Sequence, residues 1–369
     1  MTLNFDNLRW DGFLRRSTPR HDVAELAKFH AGKNILVTGA GGSIGSALSQ
    51  VIFDLGPRTL VLLDASEQNL FGIQTQLSKL PAPVRHVPIL GSIADERCVR
   101  DIFERYRPEV IYHAAALKHV PLMEMNTFAV MQNNVFGSFT LATMARRFHT
   151  GRLIMISTDK AVNPRSIMGA SKRLAELVLL ALGDDVTRMS SIRLGNVLGS
   201  EGSVVPLFLE QIHSGGPVTV TDAEVERYFM SMEETVSCIL RAAASSFTDC
   251  GICFPDMGEP IKIVDLARYL IEKSSAEGIS ITYTGLRTGD KLHEEFVSDR
   301  EIIAHELVDG LQWIESPRLS EPELEEGVAE LVAATGEMNL AKLLATLTRL
   351  VPEYQTSAYL LNQVAQATT

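Results

Sequence analysis

Cysteine is scarce: four residues in 369, at Cys98, Cys238, Cys250 and Cys253, with no secretory pattern at the start. So few thiols exclude a disulfide scaffold and suit a reducing, cytoplasmic setting. The one close pair, Cys250-Gly-Ile-Cys253, spells C-x-x-C. A structural zinc needs a second ligand pair at similar spacing, and redox use needs a helix opening, whereas "GICF" reads as a strand. Buried strand cysteines are expected, and no metal. Long apolar runs are also missing. The most apolar helical stretch, "LAELVLLALG" over 174–183, is interrupted by Glu176 and is far short of the roughly 20 residues a membrane span needs. No membrane partner and no N-terminal membrane region are expected. Basic charge is in deficit, with 34 Lys and Arg against 45 Asp and Glu and a net charge of −11. That excludes bulk electrostatic binding to nucleic acid or anionic membrane and leaves room only for a local basic pocket that takes a phosphate. No low-complexity tract and no repeat of solenoid length is visible.

What is there is an alternation. "NILVT", "TLVLLD", "VRHVPIL", "EVIYHAA", "RLIMIST" and "SSIRL" are short apolar, β-branched runs separated by helical patterns. Near-continuous apolar strands joined by helices imply a parallel sheet covered on both faces, and 46% hydrophobic content supplies the core. Residues 1–30, with "DGFLRR" and "DVAELAKFH", read as an N-terminal arm with a short helix, and 31–197 as a nucleotide-binding domain. From about Leu198 the alternation weakens. Residues 198–369 are expected to form mainly a smaller mixed α/β substrate lobe and C-terminal helices, with the two lobes interleaved.

Phosphate chemistry enters at "ILVTGAGGSIGSAL". Gly39, Gly42 and Gly45, with Ser43 and Ile44 between the last two, follow a strand and open a helix, where free backbone N–H groups and the helix dipole receive a pyrophosphate. Asp64 ends the next strand, 19 residues after Gly45, close to the spacing of a ribose-binding acid. An acid there accepts hydrogen bonds from the ribose hydroxyls and repels a 2′-phosphate, which selects NAD over NADP. Asp64 can also cap the helix begun by "SEQNL". The fold class expected is Rossmann-type, a doubly wound parallel sheet with a smaller C-terminal lobe.

The ordered set "TGAGGSIGS", "HAAALKHVPLME", "NNVFGS", "STDKAVNP", "MGASKR", "RLGNVLGSEGSVVPLF", "ERYFM" and "GLRTGDKLHEE" resembles the extended short-chain dehydrogenases of bacterial polysaccharide biosynthesis. Within them it resembles the UDP-N-acetylglucosamine 4,6-dehydratases. The chain departs from the family pattern at Ser92, where an Asp near the adenine is usual, and at Thr288, Asp290 and His293, where Pro, Glu and Tyr are usual. Met168 stands four residues before Lys172, in the place of the usual catalytic tyrosine, and the resemblance includes a branch with Met there and Thr-Asp-Lys upstream. A thioether cannot relay a proton. The resemblance therefore implies Thr158 as the relay for the C4 hydroxyl proton, Asp159 as the acid at the departing C6 oxygen and Lys160 as the base at C5, with Lys172 on the nicotinamide ribose.

The same resemblance implies that Ala114, Ala115 and Ala116 leave room for the cofactor, that Asn134 supports the active-site backbone, and that Lys118, His119 and Glu124 face the cleft. Asn196 is expected to touch substrate. Arg227, Arg287 and Lys291 are candidate diphosphate clamps, arginine's planar fork suiting a bidentate hold on phosphate. The expected activity is NAD-dependent dehydration of UDP-N-acetylglucosamine to its 4-keto-6-deoxy form. A 4-epimerase or 5,6-dehydratase of the same fold is the close alternative, and a non-catalytic nucleotide-binding regulator the distant one. Pairing through "VMQNNVFGSFTLATMARRF" and "SKRLAELVLLAL" leads to an expected homodimer or higher homo-oligomer.

Overall fold

A computed structural model describes residues 8, 10–14, 16, 23–81, 83–245, 250–308 and 310–367. Most of the N-terminal arm lies outside these residues. Its described part includes a short helix, Trp10–Leu14, and a longer one, Val23–His30.

The six apolar runs become six parallel strands: β1 Asn34–Thr38, β2 Thr59–Asp64, β3 Arg85–Leu90, β4 Val110–His113, β5 Arg152–Thr158 and β6 Arg188–Leu194. All six residues of β2 are buried, as a strand covered on both faces requires. The chain later returns to the same sheet with β7 Gly251–Pro255, β8 Ile302–Val308 and β9 Leu311–Glu315. The nine strands lie in the order β8-β9-β7-β6-β5-β4-β1-β2-β3. β7 is parallel to β6, while β9 runs antiparallel to both β7 and β8. The sheet therefore extends past residue 197, through β7, β8 and β9. Crossing from β3 back over β1 to β4 creates the switch point at the carboxyl ends of the strands, where ligands enter folds of this kind.

Cys253 lies within β7 and Cys250 just before it; both are buried free thiols, and burial raises their pKa. A second apolar cluster makes the smaller lobe, joining Val205, Phe208 and Ile212 of one helix to Val264, Leu266 and Leu270 of another, with Leu14 from the N-terminal arm packed in.

The helices Gly137–Arg147 and Ile167–Leu182 expected to pair between subunits are covered within the chain. Leu324 and Val328, from the helix Glu321–Gly336, pack with Leu141, Ala145, Leu179 and Leu182, and of the Ile167–Leu182 helix only Ala181 is not buried. Removing that apolar face from water is the driving force, and the chain's own tail supplies the cover. Among the described residues no helix is long and apolar enough to cross a membrane.

Candidate active site

A cleft of about 700 Å³ opens over the carboxyl ends of β1, β4, β5 and β6. One wall is the glycine turn. Gly39 has φ +63°, and a Cβ built on it would stand 2.7 Å from the Ala115 nitrogen; one on Gly45 would stand 2.0 Å from the Gly39 oxygen. Only glycine permits this close approach. The helix Ser43–Asp54 then begins with Gly42 as its cap residue and no side-chain cap, which leaves its first N–H groups for a ligand. Asp64 braces the turn: its two carboxylate oxygens accept the backbone N–H groups of Gly41 and Ser66, each at 2.8 Å. It lies behind the cleft lining, yet a carboxylate has lone pairs left for ribose hydroxyls. Gly42, Ser43, Ile44, Ala114 and Ala116 line the cleft, whereas Ala115 packs behind the turn. A turn that only glycine allows, an open helix start and an acid at the next strand end together suit a dinucleotide.

The opposite wall carries the reactive groups. β5 ends at Thr158, and Asp159 and Lys160 turn into a single 3₁₀ turn, Asp159–Ala161. Thr158 Oγ1 donates to Asp159 Oδ1 at 2.8 Å, and Lys160 Nζ donates to the same oxygen at 2.9 Å. Asp159 is fully buried, and its Oδ2 has no hydrogen-bond partner. Lys160 also reaches Asn196 Oδ1 at 3.2 Å. Burial pulls the Lys160 pKa down, but the neighbouring Asp159 and Glu294 carboxylates outweigh it and the net shift is upward. One helical turn separates Met168 from Lys172, and both face the cleft. Lys172 donates to the Ile156 carbonyl at 2.7 Å, and burial brings its pKa down to about 8.

Asn134 sits in a π-helical turn, Met131–Phe136, and is buried. Its side chain accepts from Leu117 N–H and donates to the Leu117 carbonyl and Ser171 Oγ. It braces the loop after β4 and does not line the cleft. Lys118 and His119 do line it. Lys118 donates to the Glu201 carbonyl at 2.7 Å, and the His119 ring stands against Gly202, where a Cβ would meet its Cε1 at 2.5 Å. Partial desolvation, then the Lys118 charge, lowers the His119 pKa, and the residue as a whole is exposed at the cleft.

A family model described as "Polysaccharide biosynthesis protein" matches residues 35–315. The chain belongs to this family. It is 42% identical over 305 residues to the capsular polysaccharide biosynthesis protein CapD of Staphylococcus aureus, a match that covers 81% of this chain and 51% of CapD. The chain thus spans about half the length of that relative. It is 31% identical over 278 residues to an inverting UDP-N-acetylglucosamine 4,6-dehydratase of Campylobacter jejuni, covering 72% of this chain and 78% of the enzyme. Among solved structures, Pen from Bacillus thuringiensis superposes with a TM-score of 0.72 at 29% identity, covering 79% of this chain and 92% of Pen. The chain is an extended short-chain dehydrogenase of the polysaccharide-biosynthesis group.

Two expected substrate contacts lie elsewhere. Glu124 is buried away from the cleft, where its carboxylate accepts the Ile167 N–H at 2.7 Å and the Ser357 hydroxyl; it ties the chain's tail to the start of the Met168 helix. Lys291 is drawn inward, donating to the Val162 carbonyl at 2.6 Å. Arg227 lines the cleft, but its guanidinium also donates to the carbonyls of Glu226, Lys291 and Leu292. Arg287, 61% exposed and paired with Asp290 at 3.0 Å, remains the most open cation of the three. Sequence reasoning missed Glu294, which neighbours Arg227 and Lys291; the first of the two acids that end "KLHEE" was its only signal. It also missed Glu201 and Gly202, which cross the cleft mouth to Ser43, whose Oγ accepts the Glu201 N–H at 3.0 Å.

Proposed function

We propose that the chain is an NAD-dependent sugar-nucleotide dehydratase that converts UDP-N-acetylglucosamine to its 4-keto-6-deoxy form with loss of water. The observation that carries this reading is the unbroken hydrogen-bonded line from Thr158 through Asp159 to Lys160, facing a dinucleotide cradle across one cleft. Gly39, Gly42 and the N–H groups opening the Ser43–Asp54 helix would hold the cofactor's pyrophosphate, and Asp64 and Lys172 its riboses. Bound there, a nicotinamide supplies a two-electron couple for the sugar, drawn on at C4 and restored at C6.

The chain's own residues then manage protons. Thr158 takes the C4 hydroxyl proton and passes its own to Asp159 Oδ1, a step Met168 has no proton to make. Asp159, charged with that proton in a fully buried position, is then the acid for the departing C6 oxygen. Lys160 takes the C5 proton once the neighbouring C4 is a ketone and returns it at the end. The proton taken at C4 leaves in the water, and the C5 proton cycles on Lys160, so nothing is consumed. Arg287 stands at the cleft rim as a clamp for the diphosphate.

Incubating the protein with UDP-N-acetylglucosamine and NAD and following the sugar nucleotide by mass spectrometry tests the reading. Loss of one water, with C4 deuterium recovered at C6 of the same molecule, is the expected result. Unchanged mass with inversion at C4 indicates an epimerase instead, and no change at all a non-catalytic binding protein.

A further inference from the structure

Lys291 does not line the cleft, and only 11% of its side chain is exposed. Its ammonium is held instead at the far end of the reactive turn, where Nζ donates to the Val162 carbonyl at 2.6 Å and lies 3.3 Å from the buried Glu294 carboxylate. Val162 is the residue that closes the Asp159–Ala161 turn: its own N–H donates to the Asp159 carbonyl at 3.1 Å, and its side chain is buried. A carbonyl in such a place needs a donor. Lys291 supplies one that carries a charge, which makes the bond stronger than a neutral one.

The next residue is strained. Asn163 has φ +41°, in the left-handed region that residues other than glycine seldom adopt. Its Nδ2 donates to Glu295 Oε2 at 3.2 Å. Beyond it, Gly289, with φ +83°, packs so closely on Ser166 that an added Cβ would stand 2.9 Å from the Ser166 Cβ, and Ser166 caps the Met168 helix by accepting the Gly169 N–H. Residues 289–295 thus grip 162–166 at its start, its strained middle and its end. The same stretch is tied to the cleft on its other side, where Asp290 and Arg227 are lining residues and the Arg227 guanidinium donates to the Lys291 carbonyl at 2.8 Å. Strained backbone persists only where its surroundings over-determine it, and it gathers at functional sites.

We propose that Lys291 is a positioning residue. It fixes the carbonyl that ends the Asp159–Ala161 turn and so holds the Asp159 carboxylate and the Lys160 ammonium at the reach that the elimination needs, without touching the substrate itself. The elimination rests on the dehydratase reading, whereas the hold on the turn does not.

Lys291→Met removes the donor and keeps the stem. In the NAD-loaded full chain, kcat for water loss should fall about 10- to 100-fold, the scale of misplacing a reacting group by up to about 1 Å. KM for UDP-N-acetylglucosamine, and the affinity for UDP measured by calorimetry, should stay within about twofold of the wild type. A phosphate clamp behaves the other way, and Arg287→Met should show it by weakening UDP binding. Lys291→Arg, which keeps a charged donor, should retain most of kcat. Hydrogen exchange of peptides covering 159–163, read by mass spectrometry without ligand, should quicken in Lys291→Met and not in Arg287→Met, because the turn's bonds protect those amides. Lys291→Gln, which removes the charge and shortens the reach, is the second arm if Lys291→Met does not fold. Weaker UDP binding with kcat unmoved makes Lys291 a clamp and overturns the proposal. Unmoved exchange in a folded Lys291→Met protein also overturns it, as does a lower melting temperature with kcat unmoved, which means a structural role only. Absence of water loss or of UDP binding in the wild type counts against the dehydratase reading alone, because exchange in the turn needs no ligand.

Discussion

Thr158 Oγ1 donates to Asp159 Oδ1 at 2.8 Å, from the last residue of β5 to a carboxylate with no exposure to solvent. The hydroxyl is a proton carrier between the cleft and that acid, beside the Lys160 ammonium that donates to the same oxygen. Thr158→Val should lower the initial rate of water loss by about 100-fold or more, the scale of losing a proton-transfer group, while Thr158→Ser keeps most of it. Met168→Leu should retain much of the activity. Equal losses in Thr158→Ser and Thr158→Val would remove the hydroxyl from the mechanism.

Asp64 accepts the N–H groups of Gly41 and of Ser66, the cap residue of the following helix, and in the proposed reading it meets the ribose hydroxyls. NAD should bind at least about tenfold more tightly than NADP, a difference of about 1.4 kcal/mol, and Asp64→Asn should narrow that gap. Calorimetric titration of both cofactors into both proteins checks it; equal affinities in the wild type would release Asp64 from the selective role.

Lys172 titrates near 8 because burial disfavours its charge, against 10.5 for a free lysine. Between those values the unfolded chain binds more protons than the folded one, so this group's contribution to stability rises with pH from about 8 toward 10.5. Below 8 the buried ammonium costs stability. Lys172→Met should therefore melt higher than the wild type at pH 7 in cofactor-free protein, and the difference should shrink by pH 10, read by thermal unfolding at both values.

Arg193, next to last in β6, is fully buried between Glu176 and Glu301, with both carboxylates 2.7 Å from its Nη2. Burial alone would raise the Glu301 pKa, but the Arg193 hydrogen bonds and charge bring it down to about 2. A depressed acid of this kind gives stability that is complete above the unfolded value of 4.5 and is lost as pH falls toward 2. Glu301→Gln should cost about 3–5 kcal/mol at pH 7, as for a buried pair broken on one side, and the cost should diminish toward pH 3. Denaturant unfolding of the two proteins at pH 7 and pH 3.5 measures it.

The helix Glu321–Gly336 adds Leu324 and Val328 to the apolar cluster that holds Leu141, Ala145, Leu179 and Leu182. Ending the chain after Leu319 should uncover it, and the shortened protein should self-associate or precipitate where the full chain does not, as an apolar patch of that kind does. Light scattering on matched concentrations decides; an unchanged mass for the shortened protein would mean the face needs no cover.

The strands and the glycine turn were legible because their causes are local. A run such as "TLVLLD" has no polar face to show to water, and it ends in the acid that braces the turn; both facts lie within a few residues. Thr158, Lys160, Met168 and Lys172 came from adjacent motifs joined by one strand and one helix, so their meeting in a single cleft needed only β5 and the helix after it, with Asp159 buried against Thr158 and Lys160. Glu176 and Arg193 were visible as charges out of place in apolar segments, but nothing local says that each is the other's partner. The placement of Glu124 at the start of a helix, the turning inward of Lys291, the packing of the helix Glu321–Gly336 into the chain's own core and the pairing of Glu294 with Lys291 were decided by tertiary structure alone. Charge and hydrogen-bond partners are chosen through space, by which segments burial brings together, and burial depends on the whole chain at once.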